Sequence, residues 1–261
     1  MKSFQNTGQR GMKEDKKVRD LSGLDELAAL YKSGVLAEDG DKDALFLKNR
    51  EAFFNMLEDV SESYRELELL FTGLVKSMVN ALDAKSPWTK GHSQRVAEYS
   101  KIIARKMDFS EDDLKDIWLA GILHDIGKIG TYDALLDKAG KLTSEEYEII
   151  KRHPAQGAAI LEGIKQLKDI VPIIRHHHES FDGKGYPDGL KGNEIPLQSR
   201  IIHVADSFDS MTSDRPYRVS PGKDYAISEF RKFSGAQFDP YAVEVFLDVI
   251  GSGQHLRLIK F

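Results

Sequence analysis

The chain contains no cysteine, which excludes disulfides, thiolate nucleophiles and sulfur-ligated zinc, so that any bound metal must take nitrogen and oxygen donors. It also lacks an apolar run of about 18 residues, and its first residues, Met1-Lys2-Ser3-Phe4-Gln5, have no apolar core of the kind a signal peptide needs. The expectation is a soluble, cytoplasmic protein with no membrane partner. An excess of positive charge is missing too: 37 Lys and Arg stand against 42 Asp and Glu, a net charge of -5. Broad binding of duplex nucleic acid normally needs a basic face, so it is excluded, and an anionic substrate would require a local basic cluster. Segments that alternate with a strand's period are few.

What is present suits a helical enzyme. The 261 residues, 41% hydrophobic and 30% charged, are ample for a buried core. From Met1 to about Asp20 the sequence is polar and without periodicity, as a tail would be. Leu21 to Gly34 places Leu24, Leu27, Ala28, Leu30 and Tyr31 at helical spacing, with Ser22 as N-cap and Gly34 as stop. Ala44 to Lys85 has no proline and repeats Leu57, Val60, Tyr64, Leu67, Leu70/Phe71, Leu74, Met78 and Leu82 at steps of three or four, which predicts one long helix. Its stripe either docks on the chain's own core or pairs two chains.

Pro87 interrupts that helix. Helical patterns follow around 92–107, 111–123, 143–151, 154–163, 168–178, 198–212, 222–233 and 240–248. Ser110-Glu111-Asp112-Asp113 and Thr143-Ser144-Glu145-Glu146 read as helix starts with acidic first turns. The fold class expected is all-α: a helical bundle with one Gly-rich loop, Asp182 to Gly192. A helical N-terminal region over 1–66, regulatory or dimerising, would precede the main domain over 67–261.

Seven of the eight histidines lie between His92 and His203. His124-Asp125 follows an apolar helix end, Trp118 to Leu123, so an imidazole and a carboxylate stand at the border of buried structure. Burying them unpartnered would cost several kcal/mol, a penalty that a divalent cation removes. Asp206, in the apolar run Val204-Ala205-Asp206-Ser207-Phe208, repeats the situation. Several helices delivering inward His and Asp side chains is how bundles assemble dinuclear sites.

His124-Asp125-Ile126-Gly127-Lys128 and Gly185-Tyr186-Pro187 resemble the two signatures after which the HD-GYP phosphodiesterases, a branch of the HD metallohydrolase superfamily, are named. Gly91-His92-Ser93-Gln94-Arg95-Val96, Gly140-Lys141-Leu142-Thr143, His153-Pro154-Ala155-Gln156-Gly157, His177-His178-Glu179, Ile195-Pro196-Leu197 and Asp214-Arg215-Pro216-Tyr217-Arg218 extend the resemblance over roughly Leu74 to Leu247, with the motifs in the family's order.

The resemblance implies an HD-domain bundle that holds two divalent ions, iron or manganese, and linearises cyclic di-GMP to pGpG, sometimes continuing to GMP. It implies His92, His124, Asp125, His153, His177, His178 and Asp206 as ligands, with Asp125 bridging. One ion would take His92, His124 and Asp206; the other His153, His177 and His178. His176 is then spare, a polar neighbour on the same helix. Where some members carry a glutamate for a third metal this chain has Trp88, so two ions are expected.

A metal-activated water would attack phosphorus. Lys128, one turn beyond His124, would stabilise the charge that grows on a phosphate oxygen. Asp209 and Arg215 match positions that face the nucleotide in the family, Arg218 fills a neighbouring basic position, and Lys184 and Tyr186 of the Gly-rich loop would border the pocket. In the family this loop is also linked to recognition of GGDEF-domain cyclases. Ser180 replaces the usual arginine, which bears on how the loop is anchored. Other readings are a catalytically weak cyclic-dinucleotide receptor or GGDEF-interacting signalling protein, and a phosphodiesterase for a different cyclic dinucleotide.

Overall fold

The computed structural model describes residues 44–85, 91–130, 138, 140–214 and 219–251. The short helix expected over 21–34, Pro87, Trp88, Arg215 and Arg218 lie outside the described residues. The chain divides into two compact units, residues 1–74 and 75–261, and helix α1, Ala44–Lys85, runs through the boundary.

Within the first unit α1 carries Phe53, Leu57, Val60, Tyr64, Leu67, Phe71 and Leu74 at alternating steps of three and four, the seven-residue repeat of a coiled-coil seam. Much of that seam faces solvent: Leu67 is 60% exposed and Leu74 56%.

In the second unit α2, His92–Lys106, buries Val96, Ala97, Ile103 and Ala104. Helix α3, Glu111–Leu123, starts where Ser110 Oγ accepts from the Asp113 amide, and three acidic residues in its first turn suit the positive end of the helix dipole. Helix α4, Ser144–Ile150, begins with a capping box in which Thr143 and Glu146 satisfy each other's backbone amides. Then come α5, His153–Leu161; α6, Val171–Arg175; α7, Leu197–Thr212; α8, Lys223–Phe233; and α9, Pro240–Gly251. Among the described residues no strand forms; the one extended feature is an isolated bridge from Ser234 to Phe238.

The core is layered around α7, whose Ile201, Ile202, Val204 and Ala205 are buried. Helix α2 packs on α3 and on α7, and α5 packs on α6 and on the 3-10 turn Ile126–Gly130. Phe208, Phe230 and Phe246 meet edge to face beneath α7, a favoured arrangement of ring quadrupoles. Each fully buried Leu or Phe of this core contributes about 1.5–3 kcal/mol.

The sequence pattern puts one helix over 168–178; the structure shortens it to Val171–Arg175. Pro172 lies in its first turn, the place where a missing N–H and a fixed φ are tolerated, so the helix cannot extend backwards through it. At the other end the imidazoles of His176 and His177 approach the Pro172 and Ile174 carbonyls through Nδ1. The three histidines therefore stand in the turn after α6 and not on its face.

Gly127 shows how tightly that turn is packed. A Cβ there would overlap the His153 carbonyl oxygen and lie 2.6 Å from the Gly157 nitrogen. Gly127→Ala is expected to destabilise the protein by about 1–3 kcal/mol, as overpacking does, and to push the 3-10 turn off α5. A thermal melt that matches the wild type's would contradict this.

Candidate metal centre

Three histidines are oriented by the same local device. His124 Nδ1 lies 2.7 Å from the Gly121 carbonyl, His153 Nδ1 2.8 Å from that of Ile150 and His177 Nδ1 2.6 Å from that of Ile174. A carbonyl only accepts, so each Nδ1 is the protonated nitrogen and each Nε2 presents a lone pair inward. His92 is oriented differently: its Nδ1 lies 2.7 Å from Asp209 Oδ2.

The inward atoms form three overlapping groups, of which one, His124, Asp125 and His177, joins the other two. His92, His124 and Asp206 converge from α2, the end of α3 and α7, and His153, His177 and His178 from α5 and the turn after α6, the ligand atoms of each trio lying within 4.8 Å of one another. Asp125 lies between. Its Oδ2 is 3.4 Å from His124 Nε2 and 3.7 Å from His92 Nε2, while its Oδ1 is 3.2 Å from His153 Nε2. One carboxylate oxygen thus faces each trio.

This arrangement fits divalent cations on its own chemistry. His153 and His177 bring their Nε2 atoms to 3.3 Å, lone pair toward lone pair, which no hydrogen bond relieves while both Nδ1 atoms hold the proton. His124 Nε2 and Asp125 Oδ1 are buried without a hydrogen-bond partner, and buried polar atoms without partners are costly. Burial, together with the other imidazoles, lowers the pKa of His177 and His178 well below the usual histidine value, which leaves them neutral, as ligands must be. At Asp125 burial works toward protonation, but the charge of Lys128 beside it prevails and holds its pKa far below the usual carboxylate range.

His92 is the exception among the imidazoles. Burial would lower its pKa, yet hydrogen bonding to Asp206 and Asp209 and the charge of Asp125 raise it to about 9. In metal-free protein the stability this group contributes is fully present below about pH 6.5, the unfolded value, and is lost as pH rises through about 9. The melting temperature of chelator-treated protein is expected to fall between pH 7 and pH 10, with the His92→Gln protein showing a flatter profile over the same range.

Lys128 lies within the cluster, its Nζ 2.6 Å from Asp125 Oδ2. Tyr186 packs against His178 with ring centroids 5.0 Å apart. Lys184 pairs with Asp182 at 3.0 Å and is 84% exposed. Asp209 is 2% exposed and grips Arg95 as well as His92, which puts it behind the cluster.

Arg95, Arg175 and Glu179 were not named as site residues from the sequence, and Asp209 was named there for a different role. Arg95 and Asp209 each sit three residues beyond a candidate ligand, His92 and Asp206, and so lie one helical turn away on the same face; that spacing is the signal that could have found the pair. His176, expected to be spare, has its Nε2 2.9 Å from Asp188 Oδ2, and Arg175 clasps both oxygens of Asp188 at 2.7 Å. Glu179 Oε1 accepts from the amides of Asp188 and Gly189 at 2.7 and 3.0 Å. The Gly-rich loop is therefore tied down by Arg175, His176 and Glu179 in a chain that has Ser180 where arginine is usual.

The family described as HD domain matches residues 76–242. A cyclic di-GMP phosphodiesterase of Thermotoga maritima is 39% identical over 220 residues, which are 84% of this chain and 57% of that protein. A 3′3′-cGAMP-specific phosphodiesterase of Vibrio cholerae is 42% identical over 169 residues, 64% of this chain and 36% of that protein. The chain thus spans between about a third and three fifths of the length of these relatives. Among solved structures, a cyclic GMP-AMP specific phosphodiesterase of V. cholerae has the same fold, with a TM-score of 0.57 at 22% identity over 72% of this chain and 50% of that one. No helix among the described residues is long and apolar enough to cross a membrane. With the family match covering most of the second unit, and with His124-Asp125 and Gly185-Tyr186-Pro187 both in place, the chain belongs to the HD domain family, in its HD-GYP branch.

Proposed function

We propose that this chain is a metal-dependent phosphodiesterase that hydrolyses cyclic di-GMP to pGpG, and on to GMP where the same site accepts the linear product. The observation that carries the reading is Asp125, whose two oxygens face two separate donor trios, the disposition of a carboxylate shared by two ions. His92, His124 and Asp206 would hold one iron or manganese ion and His153, His177 and His178 the other, with Asp125 between. Such a pair supplies Lewis-acid polarisation of a phosphate and a water-derived nucleophile at neutral pH.

The chain's own groups do the rest. The backbone carbonyls behind His124, His153 and His177 keep the lone pairs aimed inward before any ligand arrives, so little reorganisation is needed at reaction. Lys128 Nζ, on the Asp125 carboxylate in the free protein, is placed to move onto a phosphate oxygen as negative charge grows there. Water oxygen bonds to phosphorus as the P–O3′ bond breaks, and the 3′ oxygen leaves with a proton, giving a 5′ phosphate and a 3′ hydroxyl.

The test is anaerobic incubation of Fe(II)- or Mn(II)-loaded protein with cyclic di-GMP, and in parallel with 3′3′-cGAMP, followed by chromatography of products. Turnover of cyclic di-GMP supports the reading, and inertness toward both nucleotides would sink it. A second substrate reading, the mixed cyclic GMP-AMP, is favoured by the 42% identity to a relative specific for that nucleotide; faster turnover of cGAMP would select it.

We also propose that the exposed seam of α1 pairs with a second copy. Phe53, Val60, Tyr64, Leu67 and Leu74 are each at least 44% exposed, more contiguous apolar surface than a helix leaves in water without a partner. Light scattering is expected to give the mass of a dimer for the full chain and of a monomer for Leu67→Glu.

A further inference from the structure

We infer that Asp209 and Arg95 are positioning residues that set the two cation positions apart, making the trio of His92, His124 and Asp206 the one that fills first. The inference rests on the dinuclear reading above and goes beyond it in assigning unequal affinities and the groups that cause them.

The difference begins with how each imidazole is held. His124, His153 and His177 donate from Nδ1 to a carbonyl three residues earlier in the chain. His92 is the first residue of α2, so no earlier turn of that helix can supply such a carbonyl. Its Nδ1 turns instead to Asp209 Oδ2 at 2.7 Å, reached across 117 residues of sequence. A carboxylate behind an imidazole is a stronger acceptor than a carbonyl; it keeps the proton on Nδ1, so that the proton on Nε2 is the one a cation displaces, and it raises the basicity of Nε2 toward that cation.

Asp209 is in turn fixed. Arg95 donates from Nε to Oδ1 at 2.5 Å and from Nη2 to Oδ2 at 2.9 Å, a two-point grip that a buried carboxylate needs if its charge is to be tolerated. Arg95 thus engages both oxygens of Asp209 and His92 engages Oδ2, three charge-assisted contacts inside the protein. Asp209 faces the His92 imidazole, a role that the family resemblance, which implied a contact with the nucleotide, did not include.

The two positions therefore differ in charge. The first trio has Asp206 as a direct donor, a share of Asp125, and Asp209 one atom layer behind. The second has three neutral imidazoles, two of them backed by carbonyls, and the other oxygen of Asp125. A divalent cation is drawn to the first more strongly.

Titration of the chelator-treated full-length protein with Mn(II) alone, followed by calorimetry and by manganese EPR, tests this. The wild type should bind two ions in separate steps, with the spin-coupled signal of a close pair rising only in the second. Asp209→Ala should weaken the tighter step by about 10- to 100-fold, the range for losing a group behind a metal-bound histidine, and leave the weaker step in place. Asp209→Asn, which keeps an acceptor but not the charge, should shift the same step by less.

Arg95→Lys leaves Asp209 intact and covers the case in which Asp209→Ala does not fold; it too should move only the tighter step. Unchanged steps in all three variants, or equal weakening of both steps, would overturn the inference while the dinuclear reading stands. Failure of the wild type to take up two ions would overturn both, and the wild-type titration alone reveals that result.

Discussion

Asp125→Asn is expected to lower turnover of a cyclic dinucleotide by roughly a thousandfold or more, since it removes the charge of the carboxylate proposed to be shared by two catalytic ions. The substitution changes no volume and keeps one acceptor oxygen, so the bundle should still fold. What it removes is the negative charge among His92, His124 and His153, with Lys128 Nζ 2.6 Å from one oxygen. The amide nitrogen must then replace one oxygen: toward His153 it would deprive one trio of its shared donor, and toward His124 the other. Metal analysis after gel filtration should find fewer than two ions per chain alongside the lost activity. An Asp125→Asn protein that keeps both ions and near-normal turnover would remove the bridging role.

Lys128→Met is expected to behave differently. Its side chain is similar in length and the residue is partly buried, so packing is preserved while the ammonium is lost. A preorganised cation aimed at charge that develops in the transition state is typically worth about 100- to 1000-fold in kcat. That loss should appear in kcat with two ions still bound, because Lys128 contacts Asp125 but supplies no metal donor. The contrast with Asp125→Asn is the useful one: both variants lose rate, and only one loses metal. Equal loss of metal in the two would make Lys128 a support for the carboxylate and not a contact for phosphate.

Much of the fold was legible because its signals are local. The starts of α3 and α4 could be read from Ser110 and Thr143, since a hydroxyl satisfies amides two or three residues away whatever the rest of the chain does. The long α1 followed from a proline-free stretch with a steady apolar step. The region before His176 was read too generously, because the apolar pattern runs through Pro172 while the backbone cannot carry a helix back across it, and because the histidine side chains approach carbonyls that a longer helix would use. The anchoring of the Gly-rich loop was illegible for another reason: Arg175 and His176 meet Asp188 only because the chain doubles back between them.

The sequence by itself determined the chemistry available. Without cysteine, and with histidines and aspartates at the margins of apolar helices, nitrogen and oxygen donors for a hard or borderline cation follow from residue type alone, and the motif order was enough to propose seven donors and their grouping. Only the tertiary structure decided that Asp209 stands behind His92 with Arg95 instead of facing solvent. Donor identity is a property of each side chain, whereas the partner of an imidazole at the start of α2 depends on the angle and depth at which α7 packs across it. Those are set by core contacts summed over the whole bundle, and no local spacing encodes them.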